Sequence, residues 1–202
     1  IYGVDSEFDA KVTAEVFTNG AFGTGLDWSE SGSSGPGIFP ATGLAIRAQW
    51  HATPSVLLRV AAVDGAPSER GELDQDRLDT SGSGAFLIAE LDYHRPAAGL
   101  SRFALGAWRF TDPQTRLDDD SGAGTASSYG IYGFWEGELY REAGAPGQGL
   151  SAFLRAGGSS SNTNPVDRYL GAGLVYTGAV PGRSGDVLGL GGPGVKMAGF
   201  MT

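Results

Sequence analysis

DRYLGAGLVYTGAVPGR, residues 167–183, is the stretch on which the fold turns. Leu170, Ala172, Leu174 and Tyr176 fall on one parity, and Gly171, Gly173, Val175 and Thr177 on the other. Side chains on a strand alternate between faces, so these residues make one apolar face and one small, mixed face. Pro181-Gly182 closes the run with a turn signal, and Asp186 opens the next. A strand of a soluble sandwich buries its large apolar residues and covers the other face with polar ones. Here the opposite face is small, two glycines with a valine and a threonine. That fits a sheet whose oily face meets lipid and whose other face lines a wet lumen.

The same period recurs upstream. Leu44, Ile46, Ala48 and Trp50 oppose Ala45, Arg47, Gln49 and His51. Val56, Leu58, Val60 and Ala62 oppose Leu57, Arg59, Ala61 and Val63. Leu87, Ala89, Leu91 and Tyr93 oppose Phe86, Ile88, Glu90, Asp92 and His94. Phe103, Leu105 and Ala107 face away from Ala104, Gly106 and Trp108. Ile131, Gly133, Trp135, Gly137 and Leu139 alternate with Tyr132, Phe134, Glu136, Glu138 and Tyr140, and Leu154 and Ala156 with Phe153, Arg155 and Gly157. Charges gather on the parity opposite the leucines, while Trp50, Tyr93 and Tyr176 lie near strand ends on the apolar parity, where an aromatic girdle sits. Short turns alternate with long polar stretches at Asp64–Gly84 and Thr111–Ser128. The pattern predicts an all-β, antiparallel up-and-down meander of about nine strands.

Composition agrees. The 202 residues hold 34 glycines and 10 prolines, which favour turns over long helices, and 41% hydrophobic residues, which exclude a disordered chain. A net charge of -9 disfavours nucleic acid, whose phosphates need clustered Lys and Arg. With no cysteine, disulfide frameworks and zinc–thiolate sites are excluded. No apolar run reaches the roughly 18 residues of a membrane helix, a limit that does not bear on barrels. Lys11–Gly25 reads either as a short helix or as broken structure, and Leu26–Pro40 as a long loop.

No cofactor or metal is implied. Asp118-Asp119-Asp120 lacks a calcium-loop pattern, and His51 and His94 stand far apart. Gly189–Gly194 matches G-x-G-x-x-G by letter only, since Pro193 and the nearby chain end leave no helix to follow. Glu136 and Glu138 share a face, as do Glu90 and Asp92. Carboxylates two apart on a strand lie about 7 Å from each other, and glycosidases use pairs at roughly 5–9 Å. Such pairing is automatic on the wet face of any strand, so hydrolysis stands as an alternative only.

Successive motifs resemble the OprB-type carbohydrate-selective porins. They are Asp5–Asp9, Asn19–Gly23, Gly35–Pro40, Leu87–Glu90, Leu105–Trp108 and the whole run from Asp167 to Arg183. Their order and spacing carry the resemblance nearly to Leu190. It implies an outer-membrane barrel of about sixteen strands, passing small sugars passively and having no catalytic residue. Outer-membrane lipid is then a partner, and a homo-oligomer is possible.

On that reading residues 1–202 form one transmembrane β-barrel domain, here a partial barrel from the C-terminal part of a porin. Residues 10–40 are a long loop folding into or over the pore, and 191–202 an atypical tail. Arg47, Arg59, Glu90, Glu136, Glu138 and Arg155 are the expected polar pore liners, and Trp108 and Phe134 the expected platforms for sugar rings. Selectivity in such a pore comes from its diameter and its lining donors and acceptors. Cross-strand pairing of these same Arg and Glu residues is the competing role. The alternative to a porin is a soluble all-β carbohydrate-binding domain.

Overall fold

The structure, a computed structural model, describes residues 2–32, 35–65, 84–95 and 101–199. Among the described residues ten strands follow one another: β1 (Ala45–Thr53), β2 (Val56–Asp64), β3 (Ala85–His94), β4 (Ser101–Phe110), β5 (Gln114–Thr115), β6 (Thr125–Ala126), β7 (Tyr129–Arg141), β8 (Gly149–Ser159), β9 (Val166–Thr177) and β10 (Val187–Met197). Eight of them form one sheet in the order β1-β2-β3-β4-β7-β8-β9-β10, while β5 and β6 pair separately. Every pairing in the large sheet is antiparallel, between strands consecutive within it. This is an up-and-down meander with β1 and β10 as its two edges, so the sheet is not closed. Most of the long stretch Asp64–Gly84, and the turn after β3, lie outside the described residues.

One expectation is corrected at the C-terminus. Residues 191–197, read as the start of an atypical tail, are the second half of β10, with Gly191 opposite Gly173 and Lys196 opposite Arg168. Glycines and Pro193 hide the strand period there. Proline cannot donate to a ladder and is tolerated on an edge, which is where β10 lies.

The sheet has two unlike faces. On one, Ile46 is 82% exposed and Leu105 64%, and Leu154, Leu170 and Leu174 are likewise uncovered. Tyr93, Phe103 and Trp135 form a lateral row on this face, each opposite the next across β3, β4 and β7. On the other face Phe86, Ile88, Trp108, Tyr132, Phe134 and Phe153 are buried.

What covers that second face is residues 2–32 of the same chain. This segment has almost no regular structure: short 3-10 turns at Val4–Ser6, Val12–Ala14 and Gly20–Phe22, and the single-turn helix α1 (Leu26–Ser29). The sequence left a short helix open over Lys11–Gly25; two of the 3-10 turns lie there instead. Val4, Phe8 and Trp28 join Val63, Phe86, Trp108 and Tyr132 in the larger core, and Trp28 stacks on Phe86 and Tyr132 at 6.0 and 6.2 Å. Ala14 and Phe22, with Phe17, pack on Phe153 in a smaller one.

The glycines of the covered face make room for this packing. A methyl group at Gly106 would strike the ring of Tyr132, which lies opposite it, and one at Gly173 would strike Phe153. These glycines are therefore occupied space under aromatic rings.

Leu174→Arg tests the uncovered face. A charge near the middle of a lipid-facing strand costs about 2–4 kcal/mol. The yield of membrane-inserted full-length protein should fall sharply, while Tyr176→Arg, on the same face near the strand end, should be far milder.

Candidate functional site

The covered face buries its charges, whereas Arg109 and Arg168 on the uncovered face are exposed near strand ends. Arg155 on β8 projects from the covered face with its side chain 1% exposed, a state that requires counter-charges. They come from the N-terminal segment. Asp9 lies 3.0 Å from the Arg155 guanidinium, and Asp27 of α1 pairs with it as well. Gly25 lies directly against this guanidinium, where a methyl group would collide with it.

Asp9 is the hub. Its φ of 55° is in the left-handed region, which Asp enters more readily than most residues. That turn lets backbone and side chain act in different directions. The Asp9 N–H donates to Glu90 at 2.8 Å. Its carboxylate accepts from Lys11 Nζ at 2.7 Å, and from the Gly25 N–H and Trp28 Nε1, both at 3.0 Å. Burial alone would raise the Asp9 carboxyl; Lys11 and Arg155, with the hydrogen bonds from Lys11 and Gly25, bring it down to about 2. Burial pushes the Lys11 ammonium down, against the pull of Asp9, and pushes the Asp27 carboxyl up, against the pull of Arg155.

A second cluster spans β2, β3, β4 and β7. Arg59 bridges Glu90 at 2.7 Å and Asp92 at 2.8 Å. Arg102 pairs with Asp92 and approaches Glu90 and Glu136, both at 3.4 Å. Glu90 also accepts from Tyr132 at 2.7 Å. The cluster turns its remaining donors and acceptors onto the backbone of the segment. Arg59 donates to Glu7 O at 2.9 Å, Arg102 to Ala10 O at 2.6 Å, and the Thr13 N–H donates to Glu136 at 2.9 Å. Further along, Tyr169 donates to Ala21 O. An irregular segment has no ladder for its own backbone groups, and buried ones must find partners elsewhere. Here side chains of the strands supply them.

The residues singled out in the sequence therefore divide. Arg59, Glu90, Glu136 and Arg155 come together on one face and hold the segment. The pairs Arg59–Glu90 and Arg102–Glu136 join residues directly opposite in register, so the cross-strand role foreseen for such residues is present too. Arg47 lies further out, 3.0 Å from Glu7 and partly open to solvent. Glu138 is apart, paired with Arg141 at 2.9 Å. Trp108 and Phe134 are 3% and 4% exposed. Trp108 stacks on Phe86, and Phe134 carries Lys11 and Arg102 over its ring. Both rings thus spend their faces within the protein, which does not fit an open platform for sugar.

The sequence reading missed Asp9, Lys11, Asp27, Arg102, Tyr132 and Tyr169. Parity offered a signal for Arg102, which shares the face of Ala104 and Trp108 one residue before the expected strand start, for Tyr132, on the face of Phe134 and Glu136, and for Tyr169, on the face of Gly171; Asp9, Lys11 and Asp27 had no such pattern. A groove of about 440 Å³ also went unforeseen. It runs along the segment and its continuation, lined by Asp5, Ser6, Lys11, Glu15, Phe17, Asn19, Thr24 and Phe39, among others.

Removing Arg155 should free the segment. Leaving the buried carboxylates of Asp9 and Asp27 without their cation costs about 3–5 kcal/mol. Arg155→Ala should expose residues 2–32 to limited proteolysis while the strands remain protected. The pH dependence follows from Asp9. Its folded pKa lies below the unfolded value of about 3.9, so its contribution is complete above about pH 4 and is lost as the pH falls through about 2. The stability gap between wild type and Asp9→Asn should be flat above pH 4 and close below it, as read by denaturant unfolding.

A family model described as carbohydrate-selective porin, OprB family, matches residues 2–197. Among solved structures, OprB of Pseudomonas putida, determined at high pH, is similar with a TM-score of 0.83 and 23% sequence identity. The likeness covers 98% of this chain and 50% of that one, so this chain spans about half the length of the protein it matches. No match is found among the curated proteins.

Proposed function

The chain belongs to the OprB family of carbohydrate-selective porins, and from that premise we propose that it works as an outer-membrane porin through which small sugars diffuse passively. The observation that supports this most is the division between the two faces of one sheet. One face is apolar and uncovered along eight strands. The other binds an irregular segment of the same chain through buried charges. A lipid-facing wall around a lumen narrowed by an inward segment has this arrangement.

Arg59, Glu90, Glu136 and Arg155 are then positioning residues. They fix the segment, and the segment presents its own groups to the solute. A sugar is uncharged but rich in hydroxyls, which hydrogen-bond carboxylates, amides and guanidinium groups. The groove along the segment offers Asp5, Glu15 and Asn19, with the 76%-exposed ring of Phe39 beside them for the apolar face of a pyranose. Arg47, on the wall and partly open, adds a donor. Passage needs weak contacts in series rather than one tight site.

Hydrolysis is less well supported. Glu136 is committed to Thr13 and Arg102, and Glu138 to Arg141, so neither carboxylate is free to act on a glycosidic bond.

The test is conductance and flux. The full-length protein should open steady channels in planar bilayers and admit monosaccharides in liposome-swelling assays. Arg47→Glu should shift ion selectivity towards cations and change sugar flux several-fold, with Glu138→Gln a near-silent control. Absence of any conductance would overturn the porin.

A further inference from the structure

The uncovered face is not evenly rough. Leu105, Gly133, Ala156 and Leu170 stand side by side across β4, β7, β8 and β9, so two low residues lie between two tall ones. Two positions further along, Ile131, Gly158 and Arg168 form the next row. Trp135 and Leu154, opposite each other, close the low strip towards the middle of the sheet. The result is a groove of about 630 Å³, lined by Leu105, Ile131, Gly133, Ala156 and Gly158 and ending at Tyr129 and Arg168. From the row of Gly133 to Tyr129 is four residues, or about 13 Å along the strand.

The open end of this groove is cationic. Arg168 is exposed, Lys196 lies opposite it on β10, and Arg109 lies opposite Tyr129 on β4. Asp167, the acidic residue of the lining, is paired with Lys196 at 3.1 Å. In the neighbouring loop Asp118 is paired with Arg116 at 2.7 Å. Among the described residues Arg168 has no carboxylate within ion-pair distance and keeps its charge to offer. An apolar trough with cations at its mouth matches one occupant: a hydrocarbon chain with an anionic head. The mouth lies at the end of the sheet where residues 65–84 and 111–128 connect the strands, and barrels place their long connections outside. The lipid of that outer leaflet is a phosphorylated glycolipid.

We propose that this groove seats one acyl chain of a phosphorylated glycolipid, with Arg168 holding its phosphate. The proposal rests on the porin reading, since it needs the uncovered face to meet lipid. Native mass spectrometry of the purified full-length protein with diphosphorylated lipid A tests it, with phosphatidylcholine as the neutral comparison. Wild type should retain lipid A in preference. Arg168→Gln should weaken retention about fivefold, the worth of one cation at a lipid surface. Ala156→Leu fills the groove with an apolar side chain that a lipid-facing wall tolerates, and should weaken retention at least as much with the mouth unchanged. Both variants should conduct as wild type. Equal retention by all three proteins, or no preference over phosphatidylcholine, overturns the seat even if the channel conducts. A protein that neither inserts nor conducts overturns the porin and the seat together.

Discussion

A buried guanidinium must be neutralised, and an irregular buried backbone must be hydrogen-bonded. Both demands meet where Arg155 touches Asp9 and Asp27. Desolvating a charge costs several kcal/mol unless partners and remaining hydrogen bonds are all supplied. Arg155 could not stay on the inner side of β8 without the segment. The segment, which has no ladder of its own, could not stay ordered without Arg59, Arg102, Glu136 and Tyr169 receiving its backbone. Each part satisfies what the other leaves open, and the rest of the architecture follows from keeping them together.

This dependence explains why the sheet can afford so polar an inner face. Charged residues on a strand are usually read as meeting water. Here Glu90 and Glu136 are 0% exposed, and they are ordered by arginines in register and by N–H groups of the segment. The opposite face has no such task, and its leucines, valines and alanines remain uncovered.

The strands were legible because their signal is local. A period of two, with charge on one parity, is written into every eight or ten residues, and the placement of Arg59, Glu90, Glu136 and Arg155 on a common face needed nothing more. The segment was not legible, because nothing local distinguishes Asp9 or Asp27 from acidic residues of an exposed loop. Their burial is decided by Arg155, far along the chain. Trp108 and Phe134 failed for the same reason. Their parity was read correctly, but what lies over them is the segment, and parity cannot report a covering layer. Glycine misled in a milder way: Gly173 suggested open lumen, whereas its missing side chain is the space that Phe153 fills. In β10 the period was lost among glycines, and pairing with β9 alone reveals the strand.

The clamp also has a bearing on the order of events during folding. Arg155 and Asp9 are separated by 146 residues, and Thr13 and Glu136 by 123. Contacts of such span form slowly, because a long stretch of chain must be gathered before they are rewarded. Residues 2–32 precede every strand of the sheet, yet the pairing of Asp9 and Asp27 with Arg155 cannot form until β8 is in place. The earliest part of this stretch to be made is among the last to come to rest. In the interval its carboxylates stay hydrated and the aromatic inner surface of the sheet lies open, which is when a holding chaperone would find most to grip.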